Sequence, residues 1–266
     1  MIIELPGGIQ DGEGTWTKEV VLREMTGHEE NILADATKQP GKKNTLKVPM
    51  RERTLQILSR CTEKIGDEVR PDNKTAKELP LHFYPHWKKA FLPDRDLAWV
   101  RLRQISVEDG DKFSFHTECP HCKEKSKTTF TVDLNDQDVK SLPLEEVTGG
   151  PHEFTLPSGV VIAWNHNTCA DEEVVEKILD TSMHKWKTSL LATKVKLIDG
   201  KRCTEELLAD LSKKDLAAAW TEVSVKHAFG FDRTIEVTCT NPDCGLDFED
   251  KVPVMDHGFF FPASET

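Results

Sequence analysis

Two spaced pairs of cysteines are the residues best suited to chemistry in this chain. Cys119 and Cys122 bracket two residues in TECPHCKEKS, and Cys239 and Cys244 bracket four in CTNPDCG. Thiolates so spaced can chelate a tetrahedral zinc ion, run thiol–disulfide exchange, or form half of a nucleic-acid-reading knuckle. Pro120, Pro242 and Gly245 supply turn chemistry at both places. A thioredoxin-like site fits poorly, because that motif opens a helix in a βαβ unit and both pairs here lie between strand-like runs. A catalytic zinc fits poorly too, since four thiolates leave no open coordination position. The pattern therefore predicts a closed structural site, one Zn²⁺ per chain on Cys119, Cys122, Cys239 and Cys244. His116 and His121 adjoin the first pair as substitute ligands, while Cys61, Cys169 and Cys203 read as small packing residues.

Two hairpins must position these thiols. Alternation in KFSFHT and TTFTVDL predicts strands on either side of the first pair, over residues 112–134. TIEVTC and DFEDKVPV do the same for the second, over residues 234–254. With 116 residues between Cys122 and Cys239, the two tips meet only in three dimensions, as a split zinc ribbon with four cysteine ligands. A structural zinc binds with on the order of 10 kcal/mol, enough to fasten two distant segments.

The remaining chain reads as α+β, helices plus β-hairpins. Residues 1–45 are expected to be an amino-terminal arm and linker: a glycine-rich opening, a short strand at Val20–Leu22, and a helix whose Thr26 and Glu29 have capping-box spacing. The polar stretch QPGKKNT at 39–45 then forms the linker. Residues 46–256 form the core. Leu58, Cys61 and Ile65 predict one helix from Pro49 to about Ile65, and LPDRDLAWVRLRQI predicts another, with Pro93 in its first turn, Asp94 and Asp96 complementing its dipole, and Ala98, Leu102 and Ile105 on one face. LHFYPHWKK between them reads as a loop. Residues 152–164 predict a hairpin turning at Pro-Ser-Gly, and 168–229 a helical section capped by Thr168 with Asp171 and by Ser212 with Asp215. The last segment, 257–266, is an aromatic tail. Leu22, Met25 and Ile32 in the arm and Phe259, Phe260 and Phe261 in the tail are the expected partner-binding residues.

Composition excludes several functions. The 266 residues carry 35 basic and 46 acidic side chains, a formal charge of −11, which argues against a broad nucleic-acid surface. KEKSK beside the first cysteine pair is offset by DFED after the second. The start has no signal-peptide pattern and no apolar run nears the roughly 18 residues of a membrane span, so a protein soluble in the cytoplasm is expected. Seven cysteines, an odd number, suit reduced thiols. No G-x-S-x-G, Walker A, G-x-G-x-x-G or H-E-x-x-H pattern occurs, and Glu172-Glu173 and Glu205-Glu206 suit helix first turns. Neither an enzyme nor a small-molecule substrate is expected. A zinc-ribbon nucleic-acid-binding or adaptor protein is the alternative.

The order of motifs supplies a function. LPGG, LREMTGHEE, a PDRD helix running into LRQIS, CPHC followed by VDL, an LPSG turn, and a second cysteine pair ahead of FFFP together span nearly the whole chain. In this order they resemble the baseplate hub assembly proteins of T-even-type contractile phage tails, with relatives in Mu-like prophages and tail-derived systems. The resemblance implies a non-enzymatic assembly factor or component of a tail baseplate, acting in the host bacterial cytoplasm or in the virion tail, with other baseplate proteins as partners. It also implies Cys119, Cys122, Cys239 and Cys244 as zinc ligands. The chain departs from the family pattern in the four-residue spacing of its second pair and in the LHFYPHW stretch.

Overall fold

The structure is a computed structural model that describes residues 1–34, 48–71, 82–122, 127–175 and 186–260. Its first sheet is antiparallel, in the order β1 (Ile2–Gln10), β2 (Trp16–Leu22), β3 (Thr62–Ile65) and β4 (Glu68–Val69). Helix α1 (Gly27–Ala34) follows β2, and α2 (Met50–Cys61) runs directly into β3. Helices α3 (Tyr84–Lys89) and α4 (Leu92–Ser106) also pack on this sheet.

The expected amino-terminal arm is corrected here. Leu5, Ile9, Val20, Leu22 and Leu33 are buried in the main core together with Leu58, Trp87 and Trp99. The glycine-rich opening lies inside β1. Gly8 takes a φ of 106° where the β1–β2 register shifts, a bulge that a side chain would strain. At Gly7 a Cβ would sit 2.7 Å from the Phe229 ring and 2.8 Å from the Asp94 carboxylate. Asp94 is likewise more than a dipole partner: fully buried, it accepts the Gly7 N–H at 2.7 Å. The linker expected at 39–45 lies outside the described residues.

Two further boundaries differ. The helix expected through Ile65 stops at Cys61, because Thr62 is extended and Gly66, at φ 55°, turns β3 into β4. YPHWKK is a short helix instead of a loop. Its Pro85 stands in the first turn, and the buried Trp87 donates its indole N–H to Thr62 Oγ1 at 2.9 Å.

Both expected cysteine hairpins form, β5 (Lys112–Glu118) with β6 (Lys127–Asp133), and, near the end of the chain, Thr234–Thr238 with Asp247–Lys251. Between them, β7 (Val139–Lys140) and α5 (Leu144–Thr148) lead into an insert with its own core. The expected hairpin at 152–164 is present as β8 (His152–Thr155) and β9 (Val161–Trp164). The section expected to be helical contains strands as well. After α6 (Trp186–Lys194), β10 (Val195–Ile198) and β11 (Lys201–Arg202) extend the sheet in the order β11-β10-β9-β8. Asp199 and Gly200, at φ 47° and 75°, make the tight turn between them.

Helices α7 (Glu205–Ala209) and α8 (Lys213–Trp220) cover this second sheet, and α8 continues into a π-helical turn at Thr221–Lys226. The short β12 (Gly230–Phe231) pairs with β7, and β13 (Thr234–Thr238) and β14 (Asp247–Lys251) complete the fold. The insert meets the first core along a defined seam. Cys169 N–H donates to the Ala90 carbonyl at 2.8 Å, and Leu92 N–H to the Asn167 carbonyl at 3.2 Å. The buried Arg95 pairs with Glu172 across the seam and with Asp96 beside it.

The carboxy-terminal aromatics correct another expectation. Phe259 and Phe260 are core residues: Phe260 packs on Trp99 with ring centroids 4.5 Å apart, and Phe259 on Phe113 at 4.9 Å. Arg103, stacked over Phe113 and Phe259, donates to the Phe259 carbonyl. Phe261 lies outside the described residues.

Candidate metal centre

Cys119 and Cys122 leave the end of β5, and Cys239 and Cys244 leave the end of β13. Each tip is a turn. In the second, the N–H groups of Cys244 and Gly245 both donate to the Asn241 carbonyl, at 2.9 and 3.0 Å, and Gly245 turns the chain with a φ of 57°. Cys239 N–H donates to the Leu246 carbonyl at 3.0 Å, closing the loop at its base. The two extra residues of the second pair's spacing are taken up by this turn, so the longer interval still returns Cys244 toward Cys239.

The four sulfurs converge within 4.8 Å of one another. Across the tips, Cys119 Sγ lies 3.8 Å from Cys244 Sγ, and Cys122 Sγ lies 3.5 Å from Cys239 Sγ. None of the four is disulfide-bonded. Zinc with thiolates at about 2.3 Å sets tetrahedral corners about 3.8 Å apart, so the donor set and its spacing fit a tetrahedral ion. Cys119 and Cys239 are buried and Cys122 and Cys244 half-buried, which puts one sulfur of each pair in the core and one toward the surface.

The Leu246 N–H favours the Cys244 thiolate, but desolvation and contacts with the Cys122, Cys119 and Cys239 thiols outweigh it and push the Cys244 thiol up to about 12. Four thiols so close cannot all ionise unless positive charge enters among them.

Side chains outside the cysteines clasp the hairpins together. Thr128 Oγ1 and Thr240 Oγ1 are 3.1 Å apart, and Thr117 donates its hydroxyl to Asp250. Asn241 Nδ2 donates to Cys122 Sγ at 3.6 Å, a bond that orients and stabilises a thiolate. Sequence reasoning missed these residues. Asn241 lies inside the second cysteine loop, which was the available signal, whereas nothing local marked the threonine pair.

Of the sequence-predicted sites, the structure brings the four cysteines together and scatters the rest. His116 pairs instead with Thr129 on the exposed face of the hairpin, 3.1 Å from its hydroxyl, and neither it nor His121 joins the sulfur cluster. Cys61 and Cys169 are buried, and burial raises both thiols, that of Cys61 to about 12. Leu22, Phe259 and Phe260 are sealed in the core, while Met25 and Ile32 are half-buried against it. Among the described residues no helix is long and apolar enough to cross a membrane. Compared with protein-family models, curated proteins and solved structures, the chain matches none.

Proposed function

We propose that the four cysteines hold one structural zinc ion in a split ribbon, and that the protein is a non-enzymatic component or assembly factor of a contractile-tail baseplate that binds neighbouring baseplate proteins. The convergence of two distant hairpin tips on one tetrahedron-sized space carries the first half. Four thiolates close the coordination sphere and suit a clamp better than a reaction centre. The order of motifs along the chain supports the second half. Because Leu22, Phe259 and Phe260 serve the core, partner contacts of this kind belong to other surfaces, with half-buried Met25 and Ile32 at the margin of one.

The zinc reading is tested by metal analysis of purified protein, with about one zinc retained through dialysis at the thiolate site as the expected result. Protein that is metal-free and folded would overturn it. The baseplate reading is tested by copurification with contractile tails: fixed stoichiometry identifies a component, and recovery only with assembly intermediates identifies an assembly factor. Recovery with neither overturns it. A nucleic-acid-binding ribbon is the less favoured reading, because Asp247, Glu249 and Asp250 line the strand after the second tip. Salt-sensitive retention on DNA would favour it.

A further inference from the structure

We propose that His152, His166 and His227 form an acid-sensitive latch on the seam between the insert and the first core, closed while their imidazoles are neutral and released when they gain protons. It rests on neither the zinc nor the baseplate reading. The three rings share one aromatic cluster. His152 opens β8 and stacks on Trp164, at the end of β9, with ring centroids 4.5 Å apart. It lies 5.6 Å from His166 and 5.5 Å from His227, and Trp164 meets the same two rings at 5.0 and 5.1 Å.

His166 is the ring that bridges the two cores. It meets Trp164, a residue of the insert core, and also Phe229 at 4.9 Å and Phe91 at 5.8 Å. Phe91 precedes α4 and stacks on Trp16 of β2. The chain just after His166 makes the seam itself. The Asn167 carbonyl accepts the Leu92 N–H, Thr168 bridges to Phe91, and Cys169 donates to the Ala90 carbonyl. A change of charge on His166 therefore acts within three residues of these backbone bonds.

A charge on His166 finds no counterpart there. The residue is 8% exposed, and its Nε2 is buried with no hydrogen-bond partner among the described residues. A neutral ring keeps its proton on Nδ1 and leaves Nε2 bare, whereas the imidazolium places an N–H at Nε2 with no acceptor to receive it. Burial, and after it the basic neighbours Lys194, His152 and His227, hold the ring down, from an ordinary 6.5 to about 3. Lys194, at the end of α6, donates to the Val223 carbonyl. Burial and His227 lower His152 as well, against Glu146 on α5. The carboxylates near the cluster are otherwise engaged: Glu222 pairs with Lys226 and His227, and Glu172 and Asp96 pair with Arg95. Lys18 donates to the Leu142 carbonyl, and Asp94, across Gly7 from Phe229, titrates in the opposite sense within the first core.

The closed seam thus holds the His166 proton less tightly than an open one does. Closure is fully favoured above pH 6.5 and weakens as pH falls toward about 3. Between pH 8 and pH 5 one such histidine raises the open fraction about 30-fold.

The test is amide hydrogen exchange by NMR on the full chain under reducing conditions, from pH 8 to pH 5, corrected for intrinsic exchange rates. The Leu92 and Cys169 N–H groups report the seam, the Cys203 N–H, bonded to the Lys196 carbonyl, reports the insert, and the Cys239 N–H reports the cysteine tips separately. The expected result is about a 30-fold loss of protection at Leu92 and Cys169 on acidification, with Cys203 changing by less than about threefold. His166→Phe keeps an aromatic ring without a titrating group and should abolish the acid loss at both seam amides. His152→Gln removes one basic neighbour and should reduce it. Circular dichroism at pH 8 checks folding, and His152→Gln carries the test alone if His166→Phe does not fold. Seam protection that stays constant from pH 8 to pH 5 in the wild type would overturn the proposal. An acid loss of undiminished size in every folded variant, or one that Cys203 shares equally with Leu92 as in global unfolding, would overturn it as well.

Discussion

The core that carries the cysteine hairpins and the core of the insert are built from similar apolar side chains drawn from very different distances along the chain. The first joins Leu5 and Trp99 to Val237 and Phe259, so its closure depends on segments separated by most of the sequence. The second runs only from Leu156 to Val223. Closing a long loop costs more chain entropy than closing a short one, although the cost grows only slowly with length. The long-range core has the sulfur cluster at its margin, whereas the insert relies on local caps and a tight hairpin. A cluster able to hold a metal ion is thus placed where closure is most non-local.

The largest effect that would sharpen this contrast comes from Cys244→Ser. If the cluster holds zinc, the variant loses the ion and with it stabilisation on the order of 10 kcal/mol gross, which unfolds the first core while the insert keeps its protection. Metal content with hydrogen exchange resolved by region checks this, and unchanged protection around β13 and β14 would break the comparison. Phe259→Ala should cost about 3–5 kcal/mol in urea unfolding, as for a filled core position. A loss below about 0.5 kcal/mol, typical of surface sites, would return the segment to the status of a free tail.

The third effect is a pH dependence lodged in the first core. Burial pushes the Asp94 carboxyl from 3.8 up to about 7, against the hydrogen bonds from the Gly7 and Gly8 N–H groups that favour its charged form. The folded protein therefore holds this proton more tightly than the unfolded chain does. Its contribution is fully present below pH 3.8 and is lost as pH rises to about 7, a change on the order of a few kcal/mol. Asp94→Asn should flatten that part of the stability–pH profile, as urea midpoints across the window would show. The smallest effect belongs to the insert: Ser212→Ala removes the cap that Ser212 Oγ makes to the Asp215 N–H at 3.1 Å and should cost about 1 kcal/mol.

What could be read from sequence follows the range of the interaction. The capping pairs Thr26–Glu29, Thr168–Asp171 and Ser212–Asp215 all form, because three residues suffice to define them. The hairpins around the cysteines form for the same reason, since alternation and turn residues are local. The β10–β11 hairpin was also written locally, in the Asp199-Gly200 turn, but the surrounding helix signals concealed it. By contrast, nothing local marks Gly7 as the place where Phe229 and Asp94 close against the chain. Phe259 resembles a sticky tail until Arg103 and Phe113 receive it.

By itself the sequence determined the ligand chemistry and the tips that present it: thiols in close pairs, proline and glycine to turn them, and flanking strands to hold them. Those features are fixed by neighbours within a few residues. The ligand types also implied that the two tips meet, as the convergence of the four sulfurs bears out; only the tertiary structure decided that β1 and Phe259 close the core and that His82 and His86 pair with Glu68. The packing contacts depend on segments far apart in the chain, and apolar side chains, unlike paired thiols, carry no local mark of which partner they will meet.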